Sequence, residues 1–292
     1  MTIRGERSRT HLSWWAGPLI VVVAVAIWWR LIGDGLSAVT GSDYTRGLHI
    51  ARAVAATAFT LPLLYIVRRY VDRRPWSWSD FGLAPLRTGW RPFLFGVACW
   101  AVPAGITTAV VLSLGWAHVT VRGPLPGLIG TISLLTALVL LFEPIPEELA
   151  YRGYLLSALG ERYSTWVAVV GQAVLFTLWG TVLLGWVDPD RVVLLFTFGT
   201  LLGALRVTTG SLWPCLGFHT AFQVGAQYLG GQRWGHTTVD DPDSALIGLA
   251  FVLVPFVSTA VLLWMIRRRR TRGSVPYPHP PGRPSPGAGP LP

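Results

Sequence analysis

Apolar residues recur along the chain in continuous runs of about 20 residues. A run of this length crosses the roughly 30 Å hydrocarbon core of a bilayer as a helix. A membrane β-barrel would show short alternating segments instead, whereas a helix satisfies its own backbone hydrogen bonds in lipid. We therefore predict an all-α fold, a polytopic membrane helical bundle of about eight transmembrane helices. The eight runs are 14–29, 47–67, 93–116, 125–142, 165–184, 192–207, 212–229 and 245–266.

Composition supports this class and divides the chain into three parts. Hydrophobic residues make up 52% of the chain and charged residues 13%, which excludes a single water-soluble core. Residues after 273 are mainly Pro, Gly and Ser, with little to bury. We predict a cytoplasmic segment over 1–13, a transmembrane domain over 14–266, and a basic stop-transfer run with a disordered tail over 267–292. Cys99 and Cys215 lie inside apolar runs and are expected to be small core residues.

The net charge of +10 comes from arginines, because the chain has no lysine. In a soluble protein such a charge would indicate nucleic acid, but these arginines lie in loops and at the ends of apolar runs. We expect membrane lipids as partners and no nucleic acid. Arginine-rich loops alternate with arginine-poor ones, which predicts a multi-pass protein of the cell membrane with both termini cytoplasmic. The predicted cytoplasmic arginines are 4, 7, 9, 68, 69, 73, 74, 87, 91, 152, 162, 206, 267–270 and 272.

Ionisable residues next to or inside apolar runs are the candidates for chemistry, because they are costly at membrane depth. These candidates are His49, Glu143, Glu147, Glu148, Arg152 and His219. The aromatic and arginine-rich segment 73–91 suits a hairpin or short helix in the headgroup region instead.

The stretch FEPIPEELAYRGY interrupts the fourth apolar run with two prolines. Pro146 is predicted to be the first residue of a new helix, with Glu147 and Glu148 in its first turn. Glu148 and Arg152 are four residues apart, so they share a face and can form an ion pair.

Glu147 lies about 100° further round that helix. It can face a cavity with Tyr151 and Tyr154 and act as the general base on a bound water. The spacing alone favours a capped amphipathic helix whose charges are solvated.

His219 lies in the middle of the seventh apolar run, and Gln223 follows it by one helical turn on the same face. A lone buried histidine is often only a structural hydrogen-bonding residue. In a bilayer, however, the natural partners of a buried imidazole and amide are a carboxylate, a water or a substrate carbonyl.

These residues resemble the motifs of the CAAX protease and bacteriocin-processing (CPBP, or Abi) intramembrane endopeptidases. Glu147, Glu148 and Arg152 match the family's EE-x-x-x-R motif, and the segment 206–219 resembles the stretch before its H-x-x-x-N motif. The similarity covers about residues 76–229, including a lead-in at SDFGL. The family's fold is an eight-helix bundle, and its first glutamate activates the water that attacks a peptide bond within the membrane.

Carried over residue by residue, the resemblance makes Glu147 the general base, organised by Glu148 and Arg152. His219 would donate to the oxyanion of the tetrahedral intermediate. Gln223 replaces the family's Asn but keeps an amide donor. The resemblance thus implies a glutamate-dependent endopeptidase, a hydrolase, cutting an unknown protein or peptide substrate near the cytoplasmic face; its oligomeric state is open.

One departure from the family pattern leaves alternatives open. The family's second motif is F-x-x-x-H, and here Phe176 is followed by Gly180 in place of the histidine. A metal, if one were used, would bind Glu147, Glu148 and His219, but catalytic zinc usually has three ligands of another set, so zinc is disfavoured and no cofactor is expected. Catalysis is then weak, uses another residue such as Glu143, or is absent.

Two other classes of function are open as well. The alternative to an enzyme is a pseudoprotease that binds membrane proteins or lipidated chains. A small transporter would need paired broken helices in two halves, and the chain has one break.

Overall fold

A computed structural model of the chain is a helical bundle, which confirms the predicted fold class. The structure describes residues 14–122, 124–184, 188–230, 234 and 237–273. The predicted N-terminal segment 1–13 and the predicted disordered tail beyond residue 273 lie outside the described residues.

Every predicted apolar run is helical over most of its described residues. The α-helices are α1 (Ala16–Thr40), α2 (Arg46–Ile66), α3 (Leu86–Ser113), α4 (Leu125–Phe142), α5 (Pro144–Glu147), α6 (Leu156–Gly160), α7 (Thr165–Leu184), α8 (Pro189–Thr209), α9 (Trp213–Gly225) and α10 (Val254–Gly273). Wider π-helical turns extend or join them at Val67–Val71, Glu148–Leu155, Ala226–Gly230 and Leu246–Leu253. Among the described residues, six helical stretches are long and apolar enough to cross a membrane by length and composition. The other two predicted crossings, α7 and α9, have shorter apolar stretches.

Two short strands stand in connections that the sequence analysis treated as simple links. Strand β1 (His118–Val121) follows α3, and strand β2 (Thr237–Asp240) precedes the last helical stretch. They pair antiparallel, with His118 opposite Asp240 and Val121 opposite Thr237. The apolar pattern could not predict this pairing, because it joins residues more than 100 positions apart.

Hydrogen bonds join several arginine-bearing segments at one end of the bundle. The predicted short helix after α2 is a 3₁₀ turn, Trp78–Phe81. Just after it, the Gly82 carbonyl accepts a hydrogen bond of 2.8 Å from the Leu212 N–H before α9. Arg270 of α10 donates to the Thr208 carbonyl at 2.7 Å. These contacts bring together three of the arginine-bearing segments on which the predicted basic side rests.

Helices α3 and α9 pack most closely through two glycines. A Cβ built on Gly96 would lie 2.0 Å from the Pro214 carbonyl oxygen, and one on Gly217 would lie 2.0 Å from the Phe93 carbonyl oxygen. Small residues allow such backbone approach between helices in membranes. This contact holds α9 in place two residues before His219.

Candidate active site

The chain breaks its helix at Glu143. Helix α4 ends at Phe142, Glu143 has φ −114° and ψ −65°, and the next helix begins at Pro144 rather than at the predicted Pro146. Proline suits a first helical position because it has no N–H to leave unpaired. The Glu147 N–H donates to the Glu143 carbonyl at 2.9 Å, so the two glutamates lie one turn apart.

The predicted ion pair between Glu148 and Arg152 is present and fully buried. Both side chains are 0% exposed, and Arg152 Nη1 lies 3.0 Å from Glu148 Oε1. This burial contradicts the alternative of solvated charges on an amphipathic helix. Arg152, one of the arginines predicted to lie on the cytoplasmic side, is therefore inside the bundle and not on its surface.

The same glutamate holds His219. Glu148 Oε1 lies 2.8 Å from His219 Nδ1, and the imidazole is buried. The hydrogen bonds of the Glu148–Arg152 pair therefore run to His219 and not to Glu147. Because Nδ1 is bonded to Glu148, Nε2 is the ring nitrogen that can interact with a second group.

His219 Nε2 faces the other glutamate of the pair. It lies 3.9 Å from Glu147 Oε2, and Glu147 is buried. This separation is too long for a direct hydrogen bond but suits two groups that act on one small molecule between them. The structure thus brings together Glu147, Glu148, Arg152 and His219 from two helical segments.

Aromatic rings enclose these charges. The Arg152 guanidinium lies 4.3 Å from the centre of the Phe176 ring and 5.9 Å from that of Phe198. The Phe198 ring also meets His219 edge-on, with centroids 4.8 Å apart. Such surroundings exclude water, so interactions between charges in the site are stronger than at the surface.

Glu143 is connected to the site by glutamines of the His219 helix, of which the sequence analysis named only Gln223. Gln227 Nε2 donates to Glu143 Oε1 at 3.1 Å, and the amide of the predicted site residue Gln223 lies close to this carboxyl. Glu143 Oε2 is buried and accepts no hydrogen bond among the described residues. Gln227 was missed, although a glutamine one turn after Gln223 on the same face of an apolar helix was a signal that could have found it.

Only one of the two tyrosines predicted to share a cavity with Glu147 lies near it. Tyr151 is buried between Phe176 and Trp179 and interacts electrostatically with Glu147. Tyr154 instead turns away, and its hydroxyl donates to Asp72 Oδ1 at 3.1 Å. The wider π-helical turn explains the difference, because its side chains do not keep the 100° step assumed for an α-helix.

Two further positions named by the sequence analysis take no part in the contacts described above. A Cβ built on Gly180 would approach Leu195 Cδ1 to 2.6 Å, so leucine packing fills the space next to this glycine. His49 belongs to a separate aromatic cluster with Tyr44 and Trp234.

Among the described residues, no group of three or more His, Cys, Asp or Glu side chains is arranged to hold a metal ion. The oxygen of Glu148 that faces His219 already accepts from both Arg152 and Nδ1. Of the candidate ligands, Glu148 and His219 are thus joined by a hydrogen bond, and Glu147 lies 3.9 Å from the other ring nitrogen of His219.

The family model for the type II CAAX prenyl endopeptidases, Rce1-like, matches residues 129–225. The match spans about a third of the chain and contains Glu143, Glu147, Glu148, Arg152 and His219. It confirms the resemblance inferred from the motifs. Comparison with curated proteins finds none that matches the chain.

Proposed function

Because residues 129–225 match a family of CAAX prenyl endopeptidases, we propose that this multi-pass membrane protein is an intramembrane endopeptidase of the CAAX-protease type. The observation that carries the proposal is the buried approach of Glu147 Oε2 and His219 Nε2, 3.9 Å apart. A base and a hydrogen-bond donor at this separation can act on one peptide carbonyl and one water.

Glu147 is the general base in this mechanism. Its carboxylate removes a proton from a water molecule as the water oxygen bonds to the scissile carbonyl carbon. The C–N bond of the resulting tetrahedral intermediate then breaks, and the proton held by Glu147 passes to the leaving amine. Proton transfers of this kind contribute roughly 10²- to 10⁴-fold to the rate.

His219 stabilises the oxyanion through Nε2. Because Nδ1 donates to Glu148, a neutral ring would present Nε2 as an acceptor, and donation to an oxyanion requires the imidazolium. The buried Glu148 carboxylate favours that cation, while Arg152 fixes the position of the carboxylate. Glu148 and Arg152 are therefore positioning residues that act through His219.

Glu143 is the second group that handles protons. It takes over the function of the histidine that Gly180 replaces. It interacts electrostatically with Glu147 one helical turn away, and Gln227 donates a hydrogen bond to one of its oxygens. In a water-excluded site, two neighbouring carboxyls share a proton more easily than both ionise. Glu143 therefore shares the proton that Glu147 takes from the water, until Glu147 passes that proton to the leaving amine.

The proposed location is the cell membrane, with both termini and the site on the cytoplasmic side. The gathering of arginine-bearing segments at one end of the bundle supports this orientation. The substrate is a protein or peptide whose cleaved bond reaches membrane depth.

A survey of protein N-termini in membranes of the native cell tests the proposal without a known substrate. Wild type is compared with Glu147→Gln at matched expression. Glu161→Gln serves as the control, because Glu161 is an exposed carboxylate just after the end of α6. New N-termini should disappear in Glu147→Gln, with their uncut precursors accumulating, and should persist in the control. Coinciding profiles for wild type and Glu147→Gln would overturn proteolysis and favour the binding-protein alternative.

A further inference from the structure

An open polar cleft lies outside the carboxylate–histidine site. It has a volume of about 560 Å³ and forms where the start of α1, the turn after α2 and the end of α6 meet. Its polar and aromatic lining includes Trp14, Arg68, Arg73, Arg74, Tyr154 and Arg162. We call it the arginine cleft.

Four guanidinium groups and two carboxylates line this cleft, and both carboxylates are already bonded. Asp72 accepts from the Tyr154 hydroxyl at 3.1 Å and lies 4.0 Å from Arg68. Glu161 accepts two hydrogen bonds from Arg74. The two acidic side chains therefore offset only two of the four positive charges.

Arg73 and Arg162 carry the remaining positive charge. Both are exposed, and neither lies within ion-pair distance of a carboxylate in the part of the chain that the structure describes. Guanidinium groups bind the oxygens of a phosphate in pairs of parallel hydrogen bonds, which favours a phosphate over a halide or a carboxylate of lower charge density.

The cleft lies where lipid headgroups would be. The membrane-spanning stretch Arg46–Val71 ends at its edge, and the stretch Leu125–Gly160 ends just before Glu161 and Arg162. At its rim, the rings of Trp14 and Tyr163 pack edge-on with centroids 5.7 Å apart. Tryptophan and tyrosine concentrate at this depth of a bilayer, and basic pockets between helices there bind anionic headgroups.

We propose that the arginine cleft is a binding site for the phosphate headgroup of an anionic phospholipid, held by Arg73 and Arg162. Tyr154 lines the cleft and lies two residues after Arg152 on the same π-helical turn. A bound headgroup therefore stabilises the end of the helical segment that carries Glu147 and Glu148. The proposal does not depend on proteolysis.

The test uses the full chain, purified in a neutral detergent and depleted of lipid. Phosphatidylglycerol, phosphatidylcholine and inorganic phosphate are titrated separately, with bound lipid read by native mass spectrometry and stability by the melting temperature. The test variant is Arg73→Gly with Arg162→Ala. Arg73 has φ 58°, so glycine suits its backbone and the variant should remain folded. Arg69→Ala with Arg87→Ala is the control, since both arginines are exposed, near the same segments and absent from the cleft lining.

Phosphatidylglycerol should remain bound and raise the melting temperature of wild type, and phosphatidylcholine should do neither. The test variant should bind phosphatidylglycerol roughly thirty-fold more weakly, because each arginine near an anionic surface contributes about a factor of five. An equal loss in the control variant would overturn the proposal in favour of diffuse surface charge. An equal shift with inorganic phosphate would overturn it in favour of a free-anion site. As a second variant, Arg73→Lys with Arg162→Lys keeps both positive charges and should lose less affinity than the neutral pair; a loss equal to that of the neutral pair would overturn recognition by charge.

Discussion

Two arginine–glutamate pairs in this protein have the same chemistry and opposite surroundings. Arg152 and Glu148 are 0% exposed, whereas the side chains of Arg74 and Glu161 in the arginine cleft are 47% and 48% exposed. In the first pair, each charge depends on its partner, because little water is available to replace it. In the second, water and salt weaken the attraction. The buried pair can therefore fix a histidine, and the exposed pair only adjusts the charge of a surface cleft.

The largest expected effect separates the two pairs by stability. Arg152→Ala should destabilise the protein by about 3–5 kcal/mol, since it leaves the Glu148 carboxylate buried without its counter-ion. Arg74→Ala should lower stability by about 0.2–1 kcal/mol. Unfolding of both variants in detergent, followed by tryptophan fluorescence, measures the difference. Similar losses would mean that burial does not distinguish the pairs.

A second comparison concerns the carboxylates and rests on the proposed function. Glu143→Gln should lower kcat by about 10²-fold or more with little change in KM, because the amide keeps the shape of the side chain and loses its proton chemistry. Glu161→Gln should leave kcat unchanged. Cleavage of a substrate identified by the N-terminal survey provides the assay. An unchanged kcat in Glu143→Gln would remove Glu143 from the mechanism and leave Glu147 as the base.

Two glycines sharpen the contrast between packed and open regions. Gly180→His should destabilise the protein by about 1–3 kcal/mol, because even a Cβ would lie 2.6 Å from Leu195. Gly160→His should be tolerated, since a Cβ at this position meets no atom within 4 Å. Melting temperatures test both expectations.

The variant Gly180→His with Leu195→Ala should recover much of the stability lost by the single change. If the missing histidine is the only defect of the site, the double variant should also cleave faster than wild type. Recovered stability without faster cleavage would mean that the pocket has been rebuilt around glycine.

The smallest effects concern pH and distinguish two acids within the arginine cleft. Burial raises the pKa of Asp72, so the stability it contributes is fully present below its unfolded pKa and is lost as pH rises through the folded pKa. The hydrogen bonds from Arg74 lower the pKa of Glu161, so its contribution is present above the unfolded pKa and is lost as pH falls through the folded pKa. Asp72→Asn should therefore be more stable than wild type at neutral pH, and Glu161→Gln slightly less stable.

Melting temperatures between about pH 3 and pH 8 test these opposite signs. Both differences from wild type should shrink toward the acidic end, where the native carboxyls are protonated. Differences of the same sign in the two variants would contradict the assigned causes.

The amino-acid sequence by itself determined the class of the protein and its candidate chemistry. Helix formation in lipid depends on local length and polarity, so eight apolar runs sufficed to predict a helical bundle. The same logic selected Glu147, Glu148, Arg152 and His219, because charged groups are costly at membrane depth. The family match over residues 129–225 confirms the resemblance that these motifs carried.

Only the tertiary structure decided how these groups are connected. The hydrogen bond from His219 to Glu148 joins residues 71 positions apart, and that from Gln227 to Glu143 joins residues 84 apart. The π-helical turn separated Tyr154 from Tyr151, and the β1–β2 pair formed between distant connections. Sequence periodicity predicts which side chains share a face of one helix. Contacts between helices depend instead on where small residues such as Gly217 allow two backbones to approach.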